Sequence, residues 1–96
     1  MLRPKLFQTL PADDYKVYLY YDNGEIKLYD CAWILKEIGV FTQIHDIAVF
    51  KELCTIMNGT LAFDISRARD PYRCIDICPD TIYTDSIKCG TDILSA

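Results

Sequence analysis

The stretch CIDICPDTIY, residues 74–83, gathers two of the five cysteines, two aspartates and a proline. Thiolates and carboxylates at short spacing are the raw material of a metal site or of thiol redox chemistry. On an extended strand side chains alternate, so Cys74, Asp76 and Cys78 share one face while Ile75 and Ile77 fill the other. The two cysteines then lie roughly 13 Å apart at ~3.3 Å per residue, too far for one metal ion or a disulfide. A helix would bring positions i and i+4 together, but Pro79 disfavours α conformation at Cys78. Proline is at home as the first residue of a helix, which makes Cys78 an N-cap and PDTIY a first turn. Asp80 near that N-terminus is favoured by the helix dipole. Zinc sites use paired short spacings, and no second C-x₂₋₄-C or histidine cluster accompanies this one. The segment reads as a strand running into a helix, and neither a metal nor a cofactor is expected.

Two other groupings can do chemistry. A Cys78 thiol at a helix N-terminus has a lowered pKa, yet nucleophilic catalysis also needs a base. His45 is the sole histidine, and no motif ties its segment to Cys78. It reads as a structural or surface residue. Arg67, Arg69 and Arg73, with Tyr72 among them, form the one basic concentration, suited to gripping an anion, an acidic partner or RNA. Asp64 and Asp70 neutralise much of it. No Gly-rich phosphate loop, G-x-S-x-G or H-E-x-x-H occurs. With no catalytic constellation, enzymatic activity is not expected.

These residues must be positioned by short elements. YKVYLYYDNGEIKLYD, residues 15–30, places Asn-Gly between two β-prone runs, the strongest short hairpin signal. A two-residue turn at Asn23-Gly24 sets Tyr21 against Ile26, Leu19 against Leu28 and Val17 against Asp30. Tyr18, opposite Tyr29, and Tyr20, opposite Lys27, then occupy the other face. A second Asn-Gly, in CTIMNGTLAFDI (54–65), sets Ile56 against Leu61 and Cys54 against Phe63. KLFQTL reads as a further edge strand. CAWILKEIG reads as about two helical turns closed by Gly39, and HDIAVFKEL as a helix with Asp46 as N-cap and Phe50 and Leu53 on one face. Both are too short to be stable alone and must lean on the sheet. The expected fold is α+β, a small antiparallel sheet of hairpins with two or three short helices packed on it. It forms a single domain over residues 1–88 with a frayed tail at 89–96.

Composition narrows the function classes. The 96 residues suffice for one domain, and a hydrophobic share of 51% is ample for a core. A net charge of −4 repels phosphate backbones, so direct nucleic-acid binding is not expected. No stretch approaches the ~18–20 apolar residues needed to span a membrane, and MLRPKLFQTLPADDYK lacks the pattern of a leader. Five cysteines without framework spacing fit a reducing compartment, so a cytoplasmic address is expected.

The order DNGEIKLYD … GVFTQIHDIAVFKEL … NGTLAFDISRARDPYRCIDICPDTIY resembles a small bacterial family, the domain of unknown function numbered 2442. The resemblance runs from Tyr15 to Ser86. It rests most on the closing signature, matched by Asp76, Ile77, Pro79, Asp80, Ile82 and Tyr83. Phe63 stands where that family usually has tryptophan, and Arg67-Ala68-Arg69 where a glycine-containing loop is expected. The resemblance implies an α+β fold with an antiparallel sheet. It also implies a gene beside another small uncharacterised family, numbered 4160, in a toxin–antitoxin-like arrangement, with a helix-turn-helix domain following in some relatives. It carries over no catalytic residue.

The expected function is that of a non-enzymatic protein-binding or regulatory module, the neutralising half of a two-gene pair. Its partner is the neighbouring gene's product or a second copy of the chain, docked on the face of Tyr18, Tyr20 and Tyr29. The alternative is a small enzyme or nucleic-acid-processing factor acting through the Arg67–Arg73 loop.

Overall fold

The computed structural model describes residues 4–91. Within them the chain forms β1 (Leu6–Pro11), β2 (Lys16–Tyr21) and β3 (Glu25–Asp30), then two 3₁₀ segments (Ala32–Lys36 and Gly39–Ile44). There follow α1 (Ile47–Leu53), β4 (Cys54–Met57), β5 (Thr60–Phe63), β6 (Ile75–Asp76), α2 (Pro79–Asp85) and β7 (Ile87–Thr91). The strands make two antiparallel sheets, a larger one ordered β1-β2-β3-β7 and a smaller one ordered β4-β5-β6. This is the expected α+β class.

One core joins them. Leu6, Val17, Leu19, Tyr21 and Tyr29 come from one face of the large sheet. They meet Phe50 and Leu53 of α1, Leu61 and Phe63 of β5, Ile75 and Ile77 around β6, and Ile82 of α2. All four residues of β5 are buried, so this strand is apolar on both faces. Its one hydroxyl is satisfied: Thr60 Oγ1 donates to the Ile77 carbonyl at 2.7 Å.

The second hairpin takes the expected register, with Cys54 opposite Phe63 and Ile56 opposite Leu61. Asn58 and Gly59 both adopt positive φ, 55° and 76°, as a two-residue turn of this hand requires. The first hairpin does not. Its connection holds three residues, closed by Gly24 N–H donating to the Tyr21 carbonyl at 3.0 Å, with Gly24 alone at positive φ (89°). Asn23 Oδ1 instead accepts from the Glu25 amide at 3.0 Å, holding the chain in a turn followed by a one-residue bulge.

That extra residue slips the pairing by one. Tyr18 lies opposite Leu28, Tyr20 opposite Ile26 and Leu19 opposite Lys27. A slip of one exchanges the faces of a strand. Lys27 and Tyr29 therefore turn into the core side, and Ile26 and Leu28 turn out beside Tyr18 and Tyr20.

Two further expectations change. CAWILKEIG forms a single 3₁₀ segment, not α-helix: its N-cap residue Cys31 makes no side-chain cap bond and its first turn holds no acidic residue, although Asp30 Oδ1 accepts from Ala32 N–H at 2.9 Å. Gly39, at φ 75°, opens the second 3₁₀ segment instead of closing the first. HDIAVFKEL is helical as expected, with the Asp46 carboxylate accepting from Ala48 N–H at 2.8 Å. Residues 89–91, expected in the tail, belong to β7 and pair with β3, while 92–96 lie outside the described residues.

Candidate functional site

The loop between β5 and β6 is organised around one carboxylate. Asp64 Oδ1 accepts from Ser66 Oγ at 2.6 Å and Oδ2 from Arg69 N–H at 2.8 Å, while its carbonyl accepts from Arg67 N–H. The Ser66 hydroxyl, the amides of Arg69 and Arg67, and then the Arg69 charge hold its carboxyl below the usual range. Ser66 Oγ in turn accepts from Ala68 N–H and Asp70 N–H. This wrapping bends the backbone of Arg67 and Arg69 to φ 57° and 55°. That conformation is one glycine adopts freely. It sits where the family resemblance led to the expectation of a glycine-containing loop.

Arg67 and Arg69 line a cleft of about 330 Å³ with Glu52, Leu53, Cys54, Thr55 and Asp64. Both guanidinium groups are already engaged. Arg67 Nη1 pairs with Glu52 Oε2. Arg69 donates to Thr55 Oγ1 at 3.1 Å and to the Ile56 carbonyl at 3.2 Å. Two cations meet two carboxylates, so the cleft carries no net attraction for an anion. Tyr72 and Arg73 do not line it, and Tyr72 is 94% exposed. The four residues that sequence reasoning grouped are thus divided by the fold, two in the cleft and two on the outer loop.

The opening stretch is a strand entering a helix. Ile75 and Ile77 are buried, Asp76 and Cys78 exposed, and Pro79 starts α2. Cys78 and Cys74 move in opposite directions. Thr81, through its amide and hydroxyl, and Asp80 N–H stabilise the Cys78 thiolate and lower its pKa. Burial, then the Asp76, Asp64 and Asp70 carboxylates, raise that of Cys74. Among the described residues no group of three metal-ligating side chains comes together. The His45 ring bonds the Ile34 carbonyl at 2.9 Å, and the His45 carbonyl accepts from the Tyr15 hydroxyl, so this residue ties the 3₁₀ segments to the first hairpin.

Burial sets the order of thiol reactivity. It pushes Cys54 up to about 11 and Cys31 higher still. Brief alkylation of the folded protein near neutral pH is therefore expected to modify Cys78 about tenfold or more faster than Cys31 or Cys54. Peptide mass spectrometry reads the order, and equal labelling of the three would contradict it.

The remaining signature residues are structural. Ile77 and Ile82 are core residues, and Asp76 Oδ2 accepts from Asn58 Nδ2 at 3.4 Å. Tyr83 pins α2 to the large sheet, its hydroxyl donating to Glu25 Oε1 at 2.7 Å. Lys27 Nζ, on the inner face, donates to the Tyr83 carbonyl at 2.6 Å and lies 4.0 Å from the centre of the same ring. The bond to the Glu25 carboxylate, then burial, raise the pKa of the Tyr83 phenol. Sequence reasoning missed this cluster because the slipped register alone brings Lys27 inward.

The tyrosine face is reshaped in the same way. Tyr29 is 5% exposed, and its hydroxyl accepts from Trp33 Nε1 at 3.2 Å, so it belongs to the core. Tyr18 and Tyr20 stay on the outer face, joined there by Ile26 and Leu28. Compared with protein-family models, with curated proteins and with solved structures, the chain matches none.

Proposed function

We propose that this protein is a non-enzymatic protein-binding module that presents the outer face of its four-stranded sheet to a protein partner. One observation carries the reading. Tyr18, Tyr20, Ile26 and Leu28 face outward from the two central strands, and none of them packs into the core. Leu10 and Ile87 beside them are 49% and 72% exposed. An antiparallel sheet with one solvated face ordinarily keeps that face polar. A contiguous apolar one marks an interaction surface. Tyrosine suits it, burying a large ring while its hydroxyl stays hydrogen-bonded at the rim.

The resemblance to the family numbered 2442 supports the biological half of the proposal: a regulatory or neutralising protein whose partner is the product of the adjacent gene or a second copy of the chain. The Arg67–Arg73 loop is the weaker seat for function, because Glu52, Thr55 and the Ile56 carbonyl already occupy its two inner guanidinium groups. Co-expression with the adjacent gene's product is expected to give copurification that a Tyr18→Ser, Tyr20→Ser double variant loses, with the far-UV circular dichroism unchanged. Capture that survives both substitutions sinks the reading. So does a double variant that unfolds, since the face would then be core.

A further inference from the structure

The register of the large sheet maps its outer face row by row. Leu10, Tyr18, Leu28 and Ile87 lie side by side across all four strands. The next row runs Gln8, Tyr20, Ile26 and Gly90. Not one of these eight positions carries a formal charge, in a chain with 24 charged side chains (10 basic and 14 acidic). The charges begin one row further on, where Lys16 lies opposite Asp30. Those two are of opposite sign, so the rim at this end of the face is neutral as well.

From this map we infer that the outer face of the sheet docks a second copy of the chain, making a two-fold dimer with the two large sheets packed face to face. The inference rests on the reading of this face as an interaction surface and names its occupant. Three features favour a second copy. An isologous contact sets each patch on its own image, so a charged patch would repel itself; this one has no net charge. The net −4 of the chain resides elsewhere, and its repulsion is screened beyond a Debye length of about 8 Å at physiological salt.

The dimensions also fit. Four strands at ~4.8 Å spacing and five to six residues at ~3.3 Å give a face of roughly 19 by 18 Å. Side-chain relief adds to this, so that two such faces bury on the order of 1,000 Å², the size of a weak or transient interface. Finally, aligned sheets stack about 10 Å apart, a gap that one layer of tyrosine, leucine and isoleucine side chains from each side fills. A contact of this size is expected to associate weakly and with a clear dependence on concentration.

Sedimentation velocity on the full chain tests this, from about 5 µM to about 500 µM, since self-association follows concentration. The expected result is a mass rising from 11.1 kDa toward twice that value. Ile87→Lys should weaken the association about tenfold or more by placing an unpaired charge in the apolar contact. Ile87 is already solvent-facing, so this variant keeps its fold; Leu28→Lys should act in the same direction. A chain that stays at 11.1 kDa throughout overturns the inference, as does a dimer indifferent to both substitutions. The copurification experiment separates the two ideas. A monomer that still captures the adjacent gene's product through Tyr18 and Tyr20 keeps the binding-module reading and rejects the second copy as occupant.

Discussion

Phe50→Ala is expected to remove about 3–5 kcal/mol of folding stability, a large share of the roughly 5–15 kcal/mol that a domain of this size possesses. Phe50 sits on α1, where Asp46 fixes the start of the helix, and it is wholly buried. Its ring meets Phe63 of the small sheet at 4.9 Å and the edge of Tyr15 in the first turn at 5.2 Å. Helix, small sheet and large sheet therefore converge on one side chain. Truncation leaves a cavity whose walls belong to three separate elements, none free to collapse without moving the others. Tyr15 is a poor candidate for compensation, because its backbone is already held at φ 64° and its hydroxyl is tied to the His45 carbonyl. Urea unfolding measures the loss. A drop below about 1 kcal/mol would mean that α1 docks without this contact.

The element that holds Phe50 was legible because it announces itself locally. Asp46 ahead of IAVFKEL, and Asn58-Gly59 between two apolar runs, are each satisfied by a single backbone solution. The first hairpin carries the same dipeptide and comes out differently. Asn23 uses its side chain to bind the Glu25 amide, which keeps it out of the left-handed region, and Gly24 alone takes positive φ. Alternation could not reveal this, since β3 offers Ile26 and Leu28 on one face and Tyr29 with the long stem of Lys27 on the other. Two plausible inner faces left the turn to choose. Lys27 qualifies for the inside because its stem is apolar and its amine finds a carbonyl at the far end.

The candidate site was legible in composition and not in arrangement. Arg67, Arg69, Tyr72 and Arg73 are neighbours in sequence, but Asp64 and Ser66 curl the loop so that only the first two face the cleft. Their partners, Glu52 and Thr55, come from α1 and β4, more than ten positions away. A local reading has no access to such pairings. The chemistry of Cys78 was different, because Pro79, the next residue along the chain, fixes both the end of the strand and the start of the helix.

Lys27→Glu is expected to cost at least about 3 kcal/mol, and Lys27→Met much less. The ammonium donates to the Tyr83 carbonyl near the C-terminus of α2 and lies against the Tyr83 ring. Both the carbonyl and the negative end of the helix favour a cation there. A carboxylate in its place faces that carbonyl with no proton to offer, on the face of β3 that also carries Glu25, and is only 9% exposed at this position. Methionine keeps the apolar stem and drops the charge, and Ser86 Oγ still donates to the Tyr83 carbonyl at 3.2 Å. The two variants differ further in pH dependence. Burial and the negative surroundings raise the folded-state pKa of the introduced acid above its unfolded value, so the folded state binds its proton more tightly. The deficit of Lys27→Glu is therefore largest above the raised folded pKa and shrinks as pH falls toward ~4, where the neutral acid can donate to the carbonyl. The deficit of Lys27→Met stays level over that range. Thermal unfolding of both variants at neutral and mildly acidic pH reads the difference, and parallel curves would place position 27 in solvent instead of against α2.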